Sequence, residues 1–389
     1  MGADGKNSAN PEHAVLAGRV FDGHRWHTDA AVLVREGRVA GIDSWGQVPP
    51  QWPQRRLPPG AILAPGFIDL QVNGGGGVLL NDQPTADGMR AIAKAHRRFG
   101  TTACLPTLIT DTREQMRSAI AAAGQAAGRD GILGLHLEGP FISPRRPGVH
   151  RPDRIARATA ADLDELRALA GAGRSLVTLA PECVPAGFVR ALTSAGVRVS
   201  IGHSEASAAL VMQAADDGAT GVTHLFNAMP PLSGREPGIV GTALSERRLT
   251  AGLIVDGIHV DAVSIRAAFA AKRAEGIALV TDAMPTVGTN LNSFQLVGRT
   301  IRLANGRLTT EQGTLGGAHL DMASAVRNAV RLAQIPLEDA LRSASLTPAR
   351  FLGMDNERGT LVAGARADLV ALTEDLGVIA TWIGGRADD

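Results

Sequence analysis

The chain has 389 residues, of which 44% are hydrophobic and 20% charged, with 39 basic against 38 acidic side chains. Such a composition is typical of a globular protein, and the near-zero net charge gives no electrostatic basis for binding nucleic acid. No apolar run reaches the roughly 18 to 20 residues that a membrane span needs, so we expect neither a nucleic-acid nor a membrane partner. The length exceeds that of a typical single core and indicates a large domain with a smaller one.

The chain begins with a polar stretch, MGADGKNSANPEH, that lacks the apolar region of a secretory signal. We expect residues 1–12 to be disordered. Two cysteines, Cys104 and Cys183, cannot build a disulfide framework, which favours a reducing compartment and a cytoplasmic location.

Short strands joined by tight turns are predicted at both ends of the chain. In residues 14–43, valine-rich alternation is broken by Asp-Gly and Glu-Gly, which is a hairpin signal. The same pattern returns in residues 358–385. We therefore predict a small β-sandwich domain built from both chain ends, residues 13–60 and 355–389.

Between these ends, apolar strand-like runs alternate with Ala-rich helical stretches such as residues 86–100, 113–128 and 263–276. This alternation indicates an α/β fold with a parallel sheet covered on both faces. Eight repeats predict a (β/α)8 TIM-like barrel over residues 61–354. The eight runs are residues 61–72, 101–109, 131–139, 175–182, 197–204, 221–226, 250–257 and 277–284.

A doubly wound open sheet is the alternative fold, but such a sheet usually carries a Gly-rich phosphate loop after its first strand. The NGGGG of residues 73–77 lacks the G-x-G-x-x-G spacing of that loop. The barrel is therefore preferred.

Polar residues stand where most of these runs end, and in a barrel the carboxyl ends of different strands converge on one active-site face. One carboxylate and two imidazoles, Glu138, His203 and His224, match the ligands of Zn²⁺ or a neighbouring divalent metal. Asp282 ends the eighth run, where a carboxylate can take a proton from a metal-activated water and pass it to a leaving group. This layout indicates metal-assisted hydrolysis. The strand-end residues are Asp69, Gln71, Asn73, Glu138, Glu182, His203, His224, Asp256, His259 and Asp282.

Other polar residues give weaker signals. His136, on the third run, is expected in the core or beside the ligands, and His96, inside a predicted helix, is expected at the surface. Arg145 and Arg146 are expected to form a solvated pair. Glu182 could cap a helix, and it has no assigned role.

Seven motifs follow one another along residues 65–328: PGFIDLQVNGGGG, GLHLEGPFISPRRPGVH, IGHSEAS, THLFNAMPPLSGREPG, DGIHVD, LVTDAM and GTLGGAHLDMASAVRN. Together they resemble the N-acetylglucosamine-6-phosphate deacetylases of the metal-dependent amidohydrolase superfamily. The resemblance implies hydrolysis of the acetamide of N-acetyl-D-glucosamine 6-phosphate to D-glucosamine 6-phosphate and acetate, in amino-sugar metabolism.

The resemblance also implies roles for individual residues. Glu138, His203 and His224 match the metal ligands of the family, and Asp282 matches its acid/base. The matching substrate-binding residues are Val149, His150, Asn227, Ala228, Arg235, His259, Leu315, Gly316 and Gly317.

Two of these residues, Arg235 and His259, match phosphate-binding residues that reach across a dimer interface in the family. The resemblance therefore implies a homodimer in which each subunit contributes both residues to the neighbouring site. A loop Arg also suits a phosphate on chemical grounds, because its guanidinium can donate two parallel hydrogen bonds.

The chain departs from the superfamily at the end of the first run. Amidohydrolases usually carry His-x-His there to bind a second metal, whereas this chain has Gln71 and Asn73. Amides are poor ligands for Zn²⁺ beside imidazole. We therefore expect one divalent ion per subunit, Zn²⁺ in the first place, with Fe²⁺, Co²⁺ and Mn²⁺ as alternatives.

One alternative function stays open, and two others are disfavoured. A deacetylase of another N-acyl amino-sugar phosphate, such as N-acetylgalactosamine 6-phosphate, would use the same machinery on an epimer. A non-catalytic scaffold would not need all of Glu138, His203, His224 and Asp282. A dihydroorotase-like enzyme is disfavoured because the ligands of a dinuclear site are missing.

The first prediction concerns the number of metal ions. Because Gln71 and Asn73 stand where a second metal would need imidazoles, the purified protein should hold about one divalent ion per chain. Elemental analysis of the active protein measures this ratio. Two tightly bound ions at full activity would contradict the mononuclear site.

Overall fold

The computed structural model of the protein describes residues 12–388. The disorder expected for residues 1–12 therefore falls, except at Glu12, outside the described residues. No helix of residues 12–388 is both long and apolar enough to cross a membrane.

The two ends of the described chain build one sheet, as the hairpin signals predicted. Its strands are β1 (His13–Phe21), β2 (Trp26–Arg35), β3 (Arg38–Ser44), β4 (Gln54–Arg56), β5 (Ile62–Pro65), β19 (Leu369–Leu372), β20 (Val378–Ile383) and β21 (Arg386–Asp388). They pair in the order β21-β20-β19-β5-β1-β2-β3, and β4 pairs with β1. Buried Val, Leu and Trp side chains form the core of this sheet.

A second sheet of eight parallel strands forms the predicted TIM-like barrel, and each of the eight runs supplies one strand. Neighbouring strands pair in chain order from the first to the eighth. The strands are β6 (Phe67–Val72), β9 (Thr101–Ile109), β10 (His136–Glu138), β11 (Leu176–Leu179), β12 (Arg198–Ile201), β13 (Gly221–Val222), β14 (Thr250–Ile254) and β15 (Ile277–Val280).

Helices connect the barrel strands and cover the sheet. The helices are α1 (Ala86–Arg97), α2 (Arg113–Ala126), α3 (Ala160–Arg167), α4 (Phe188–Ser194), α5 (Ala208–Asp216), α6 (Gly238–Ser245), α7 (Ala262–Lys272), α8 (Met322–Arg331), α9 (Leu337–Ala344) and α10 (Leu346–Phe351). Side-chain caps mark several helix starts: the Thr85 side chain accepts from the Gly88 N–H at α1, and the Asp261 side chain accepts from the Val263 N–H at α7.

The first apolar run is two strands rather than one. Ile62–Pro65 pairs with β1 and β19 in the small sheet, and the barrel strand begins at Phe67. Gly66 lies between them, where a Cβ would come within 2.2 Å of the Thr102 side chain. The chain passes from one sheet to the other at this residue, and a side chain there would clash with Thr102. The division into residues 13–60 with 355–389 and 61–354 stays a prediction.

The barrel closes through a buried contact between Asp69 and Thr281, which we call the latch. Thr281 Oγ1 donates to Asp69 Oδ2 at 2.5 Å, and the Thr281 N–H donates to Asp69 Oδ1 at 3.2 Å. The next residue, Asp282, donates its N–H to the Gln71 carbonyl at 3.0 Å. The latch therefore brings the end of the eighth strand against the end of the first.

The NGGGG stretch extends this junction with backbone hydrogen bonds. The N–H groups of Gly74 and Gly76 donate to the carbonyls of Ala283 and Val287, at 2.9 and 2.8 Å. A Cβ at Gly74 would lie 2.8 Å from Pro285 Cδ and 2.9 Å from the Pro285 backbone nitrogen, so a side chain would push the two segments apart. The glycines serve close backbone packing, and the short strands β7 (Gly74–Gly75) and β8 (Val78–Leu79) complete the turn.

The prediction that His96 lies at the surface is wrong. His96 is fully buried, and its Nε2–H donates to the Gly74 carbonyl at 2.9 Å. A Cβ at Gly75 would come within 2.7 Å of the same ring nitrogen. The helical pattern gave no sign of this contact, because the partner is a glycine backbone from another element. His136 lies in the barrel core, where Thr178 Oγ1 is 2.8 Å from its Nε2.

A three-stranded antiparallel sheet after the eighth barrel strand was not predicted. It contains β16 (Ser293–Leu296), β17 (Arg299–Ala304) and β18 (Arg307–Thr309). Its buried side chains pack on Val149 and Met284. This insertion, which we call the cover sheet, lies over one side of the face where the barrel strands end.

The latch predicts a pH-dependent effect of Asp69→Asn. Burial raises the pKa of Asp69 from 3.8 to about 7, although hydrogen bonds from Thr281 and Gln71 lower it. The stability that this carboxyl contributes is therefore fully present below about pH 4 and is lost as the pH rises through about 7. Urea unfolding at pH 4 to 8 should show the wild type losing stability relative to Asp69→Asn. A difference that is constant, or that grows in favour of the wild type with rising pH, would contradict this role.

Candidate active site

Eleven of the thirteen predicted site residues line one cavity of about 370 Å³ at the carboxyl ends of the barrel strands. They come from strands three, five, six, seven and eight and from the loops that follow them. The residues are Glu138, Val149, His150, His203, His224, Asn227, Ala228, His259, Asp282, Leu315 and Gly317. Gly316 and Arg235 do not line this cavity.

Glu138 lies at the centre of the site, with its carboxylate 3% exposed. One oxygen, Oε1, is 2.9 Å from His224 Nε2 and 3.2 Å from His203 Nε2. The two imidazole nitrogens are 3.1 Å apart. These three atoms therefore face one another across a short gap.

The charges of this group depend on each other. Burial alone would raise the pKa of Glu138, but hydrogen bonds from His203 and His224 hold it well below its usual range. Burial disfavours the charged form of His224, yet its hydrogen bond to Glu138 raises the pKa of the imidazole. The site therefore favours an ionised carboxylate with positive charge beside it.

The group could hold a divalent metal in place of that positive charge. Bonds of about 2.0 to 2.2 Å in a tetrahedral site separate neighbouring ligand atoms by about 3.3 Å, close to the three distances found here. Glu138, His150 and His203 also lie close enough to form a ligand set. However, the nearest His150 nitrogen is 4.0 Å from the carboxylate, whereas His224 lies closer to both other ligands. We favour His224 for this reason.

His203 is oriented by the backbone of the loop that carries His150. Its Nδ1–H donates to the Arg146 carbonyl at 2.7 Å, which leaves Nε2 free to face Glu138. Metal-binding histidines are commonly fixed in this way. The Glu205 carboxylate pairs with the Arg146 guanidinium and ties the two loops together.

Glu182, to which the sequence assigned no role, supports the same loop. Its two carboxylate oxygens accept from Ser204 Oγ and from the Glu205 N–H, both at 2.7 Å. These donors directly follow His203 in the chain. Glu182 therefore fixes the backbone on which His203 stands.

Four site residues other than glycine have backbone angles that are rare for residues with side chains: Ala228, with φ of 52°, and three residues that could take part in the chemistry. His203, His224 and Asp282 have φ values of 47°, 31° and 51°. Left-handed backbone at such residues costs about 1 to 3 kcal/mol and concentrates at functional sites. The strained turns aim the three side chains into the cavity at the point where each strand ends.

Gln71 and Asn73 contact the two carboxylates of the site. Gln71 Nε2 donates to Glu138 Oε1 and Asp282 Oδ1, each at 3.1 Å, and Asn73 Nδ2 donates to Asp282 Oδ1 at 2.6 Å. Burial and the Glu138 charge raise the pKa of Asp282 to about 6, while the Asn73 hydrogen bond lowers it. The two amides thus hold Asp282 in place by donating hydrogen bonds to it. Imidazoles at these two positions would instead act as metal ligands.

The opposite wall of the cavity comes from His150 and the segment around residue 316. Burial and the nearby His203 lower the pKa of His150 to about 3, so its imidazole is neutral. Gly317 passes the Asp282 carbonyl so closely that a Cβ would lie 2.9 Å from it. Gly316 packs behind the wall, where a Cβ would meet Ile301 at 3.0 Å and Val149 at 3.3 Å.

His259 is held by Asp256 at the end of the seventh strand. Its Nδ1–H donates to Asp256 Oδ2 at 2.6 Å, and Asp256 Oδ1 accepts from the Ile258 and His259 N–H groups at 2.8 Å. The His259 imidazole is therefore held in place through Nδ1, and Nε2 is its remaining ring nitrogen. A carboxylate partner of this kind suits an imidazole that binds an anion.

Arginines surround the site at different distances. Arg145 and Arg146 both line the cavity, and both lie near the Glu205 carboxylate. Arg145 is 3.7 Å from it with 81% of its side chain exposed, whereas Arg146 contacts it closely and is paired rather than solvated. Arg235 lies in an exposed loop, outside the cavity of its own chain. The described single chain therefore brings two of these three arginines to the site.

Sequence reasoning missed several lining residues, among them Ile109, Ile254, Met284 and Thr314. Three of them are apolar residues at strand ends, which the sequence cannot distinguish from core residues. Thr314 lies two residues before the predicted Gly316, and its position within a matched motif was the available signal.

A larger cleft of about 1030 Å³ lies elsewhere, between the small sheet and the barrel. Two of its arginines are paired: Arg97 lies 3.7 Å from Asp130, and Arg358 contacts Asp368. None of the predicted site residues lines it. We therefore place the chemistry in the smaller cavity.

Comparison with known proteins agrees with this geometry. A model of the amidohydrolase family matches residues 62–387. An N-acetylgalactosamine-6-phosphate deacetylase of Shewanella sp. (strain ANA-3) is 40% identical over 362 residues, which cover 91% of this chain and 90% of the relative. An N-acetylglucosamine-6-phosphate deacetylase of Homo sapiens is 40% identical over 349 residues, 85% of this chain and 84% of the relative. The crystal structure of N-acetylglucosamine-6-phosphate deacetylase from Pasteurella multocida matches with a TM-score of 0.93 at 34% identity, covering 97% of this chain and 99% of that chain.

The contacts of Glu182 predict an effect on metal affinity. Glu182→Gln keeps one acceptor oxygen and loses the other, so the segment after His203 loses a hydrogen bond. We expect metal affinity to fall about 10-fold, as for other partners of metal-binding histidines. Competition with a chelator measures the affinity, and Glu246→Gln, outside the cavity, serves as the control. Equal affinities of Glu182→Gln and the wild type would remove Glu182 from this role.

Proposed function

Since this chain belongs to the amidohydrolase family, we propose that it is an enzyme that hydrolyses the acetamide of N-acetyl-D-glucosamine 6-phosphate to D-glucosamine 6-phosphate and acetate. The observation that carries the proposal is the convergence of Glu138, His203, His224 and Asp282 in one cavity. Relatives at 40% identity bear the names of amino-sugar phosphate deacetylases, which supports the substrate class.

We assign Glu138, His203 and His224 to one divalent metal ion, with Zn²⁺ expected. Metal dependence agrees with the family and with the closely spaced ligand atoms of the site. A bound metal of this kind lowers the pKa of a water molecule toward 7 and polarises a carbonyl. The fit rests on the donor set, one carboxylate and two imidazoles, which suits Zn²⁺.

Asp282 is the proposed acid and base. Burial and the Glu138 charge raise the pKa of Asp282 toward neutral pH, where one group can both accept and return a proton efficiently. Oδ1 is engaged by Gln71 and Asn73, so Oδ2 is the oxygen left to face the reacting groups. Asp282 thus takes a proton from the attacking water and delivers it to the departing amine nitrogen.

The remaining residues bind and orient the amino sugar. His150, neutral and 2% exposed, can donate one hydrogen bond to the carbonyl oxygen of the acetamide. We assign Val149, Asn227, Ala228, Leu315, Gly316 and Gly317 to the sugar. All but Gly316 line the cavity, and Gly316 supports its wall from behind.

The 6-phosphate is assigned to Arg235 and His259. His259 lies in the cavity with its Nδ1–H held by Asp256. Arg235 is exposed in a loop of the described chain, which agrees with a role at the site of a neighbouring subunit. We therefore propose a homodimer in which neighbouring subunits share their sites. We also propose the cytoplasm as the location of the enzyme.

Acetate release tests the proposed reaction. The purified enzyme should release acetate from N-acetylglucosamine 6-phosphate, with the N-acetylgalactosamine epimer as the competing substrate in a parallel assay. Asp282→Asn should retain the metal and lose about 10³-fold in kcat, the scale of a general acid and base. Faster turnover of the epimer would reassign the substrate, and a nearly unchanged kcat in the variant would remove Asp282 from the mechanism.

Arg235→Ala tests the phosphate site. Removing a charged hydrogen-bond donor should cost about 2 to 4 kcal/mol in kcat/KM for the phosphorylated substrate. Unphosphorylated N-acetylglucosamine should be affected far less, and it serves as the control within the same variant.

Mixing Arg235→Ala with Glu138→Ala distinguishes a shared site from a site within one chain. If Arg235 acts on the neighbouring subunit, a mixed dimer contains one site with neither lesion, so activity should return. Verified heterodimers that stay inactive would show that Arg235 acts within its own chain.

A further inference from the structure

The second barrel strand is the strand at whose end the sequence analysis named no polar residue. Thr110 stands there, directly after Ile109, the last residue of β9. It is 1% exposed and does not line the cavity. Its side chain and its backbone N–H nevertheless contact His150.

Two groups of Thr110 point at the same ring nitrogen. Oγ1 lies 2.7 Å from His150 Nδ1, and the Thr110 N–H donates to Nδ1 at 3.4 Å. Oγ1 also lies 3.4 Å from the Glu138 carbonyl. Gly139 leaves room for this arrangement, because a Cβ there would come within 2.2 Å of Oγ1.

These contacts indicate which ring nitrogen of His150 carries a proton. A hydroxyl can donate or accept, so Oγ1 alone fits either tautomer. A backbone N–H can only donate, and it would oppose a proton on Nδ1. Nδ1 is therefore the acceptor, and the single proton of the imidazole lies on Nε2, on the side of Glu138, whose Oε2 is 4.0 Å away.

We propose that Thr110 is a positioning residue that fixes His150 as the Nε2–H tautomer and directs that proton to the carbonyl oxygen of the substrate. The proposal rests on the proposed function for its catalytic consequence. A donor fixed before the reaction stabilises charge on the oxygen as it develops, so its loss lowers kcat more than it raises KM.

Nitrogen NMR tests the tautomer without any turnover. The metal-loaded protein, labelled with ¹⁵N at its ten histidines, is compared with His150→Gln to assign the His150 signals. Long-range ¹H–¹⁵N spectra should show a protonated Nε2 and an unprotonated Nδ1. A proton on Nδ1 would overturn the proposal, whatever substrate the enzyme uses.

Two variants of Thr110 form a matched pair. Thr110→Val keeps the shape and loses the hydroxyl, whereas Thr110→Ser keeps the hydroxyl and loses a methyl group. We expect Thr110→Val to shift the Nδ1 signal and to lower kcat about 10- to 100-fold, the range for partners that orient functional histidines, with KM nearly unchanged. Thr110→Ser should restore both the signal and kcat.

Two results would contradict the positioning role. One is a Thr110→Val protein that keeps its kcat, and the other is a Thr110→Ser protein as impaired as Thr110→Val at equal metal content. Adding Thr110→Val to His150→Gln should cause no further loss of residual activity, because the hydroxyl acts through the imidazole. A further loss would show an effect that bypasses His150. If no amino-sugar phosphate is hydrolysed, the proposed function fails while the NMR result stands.

Discussion

The site depends on keeping one ionised carboxylate, Glu138, in the interior of the barrel. An isolated charge at 2% exposure costs several kcal/mol unless partners compensate it. Here two imidazoles and the Gln71 amide face the carboxylate from three other strands. These partners meet only if the strand ends meet, so the charge at the centre requires a closed barrel.

Closure in turn depends on polar contacts that run beneath the site. The Asp69–Thr281 latch joins the first and eighth strands, and the backbone of Gly74 and Gly76 continues the junction beyond it. The same residues that close the barrel place Asp282 beside Gln71 and Asn73. Stability and chemistry therefore share one set of hydrogen bonds, which preorganises the site before any substrate arrives.

Much of the fold could be predicted from the sequence, because each barrel strand is a nearly continuous apolar run and each run ends in a chemically distinctive residue. The break at Gly66 and the burial of His96 could not, since both follow from contacts with residues distant in the chain. The cover sheet at 293–309 is short and partly exposed, so its pattern is weak. The roles of Glu182 and Thr110 could not be predicted from the sequence. Each role depends on a hydrogen bond to a residue that follows a neighbouring strand, and no local sequence spacing indicates that contact.

The most direct test of the central claim is a crystal structure of the metal-loaded protein, with diffraction data collected on both sides of the absorption edge of the metal. We predict one strong anomalous peak bounded by Glu138, His203 and His224, with Gln71 and Asn73 still hydrogen-bonded to Asp282. A peak bound by His150 in place of His224, or an equally strong second peak beside Gln71 and Asn73, would contradict it.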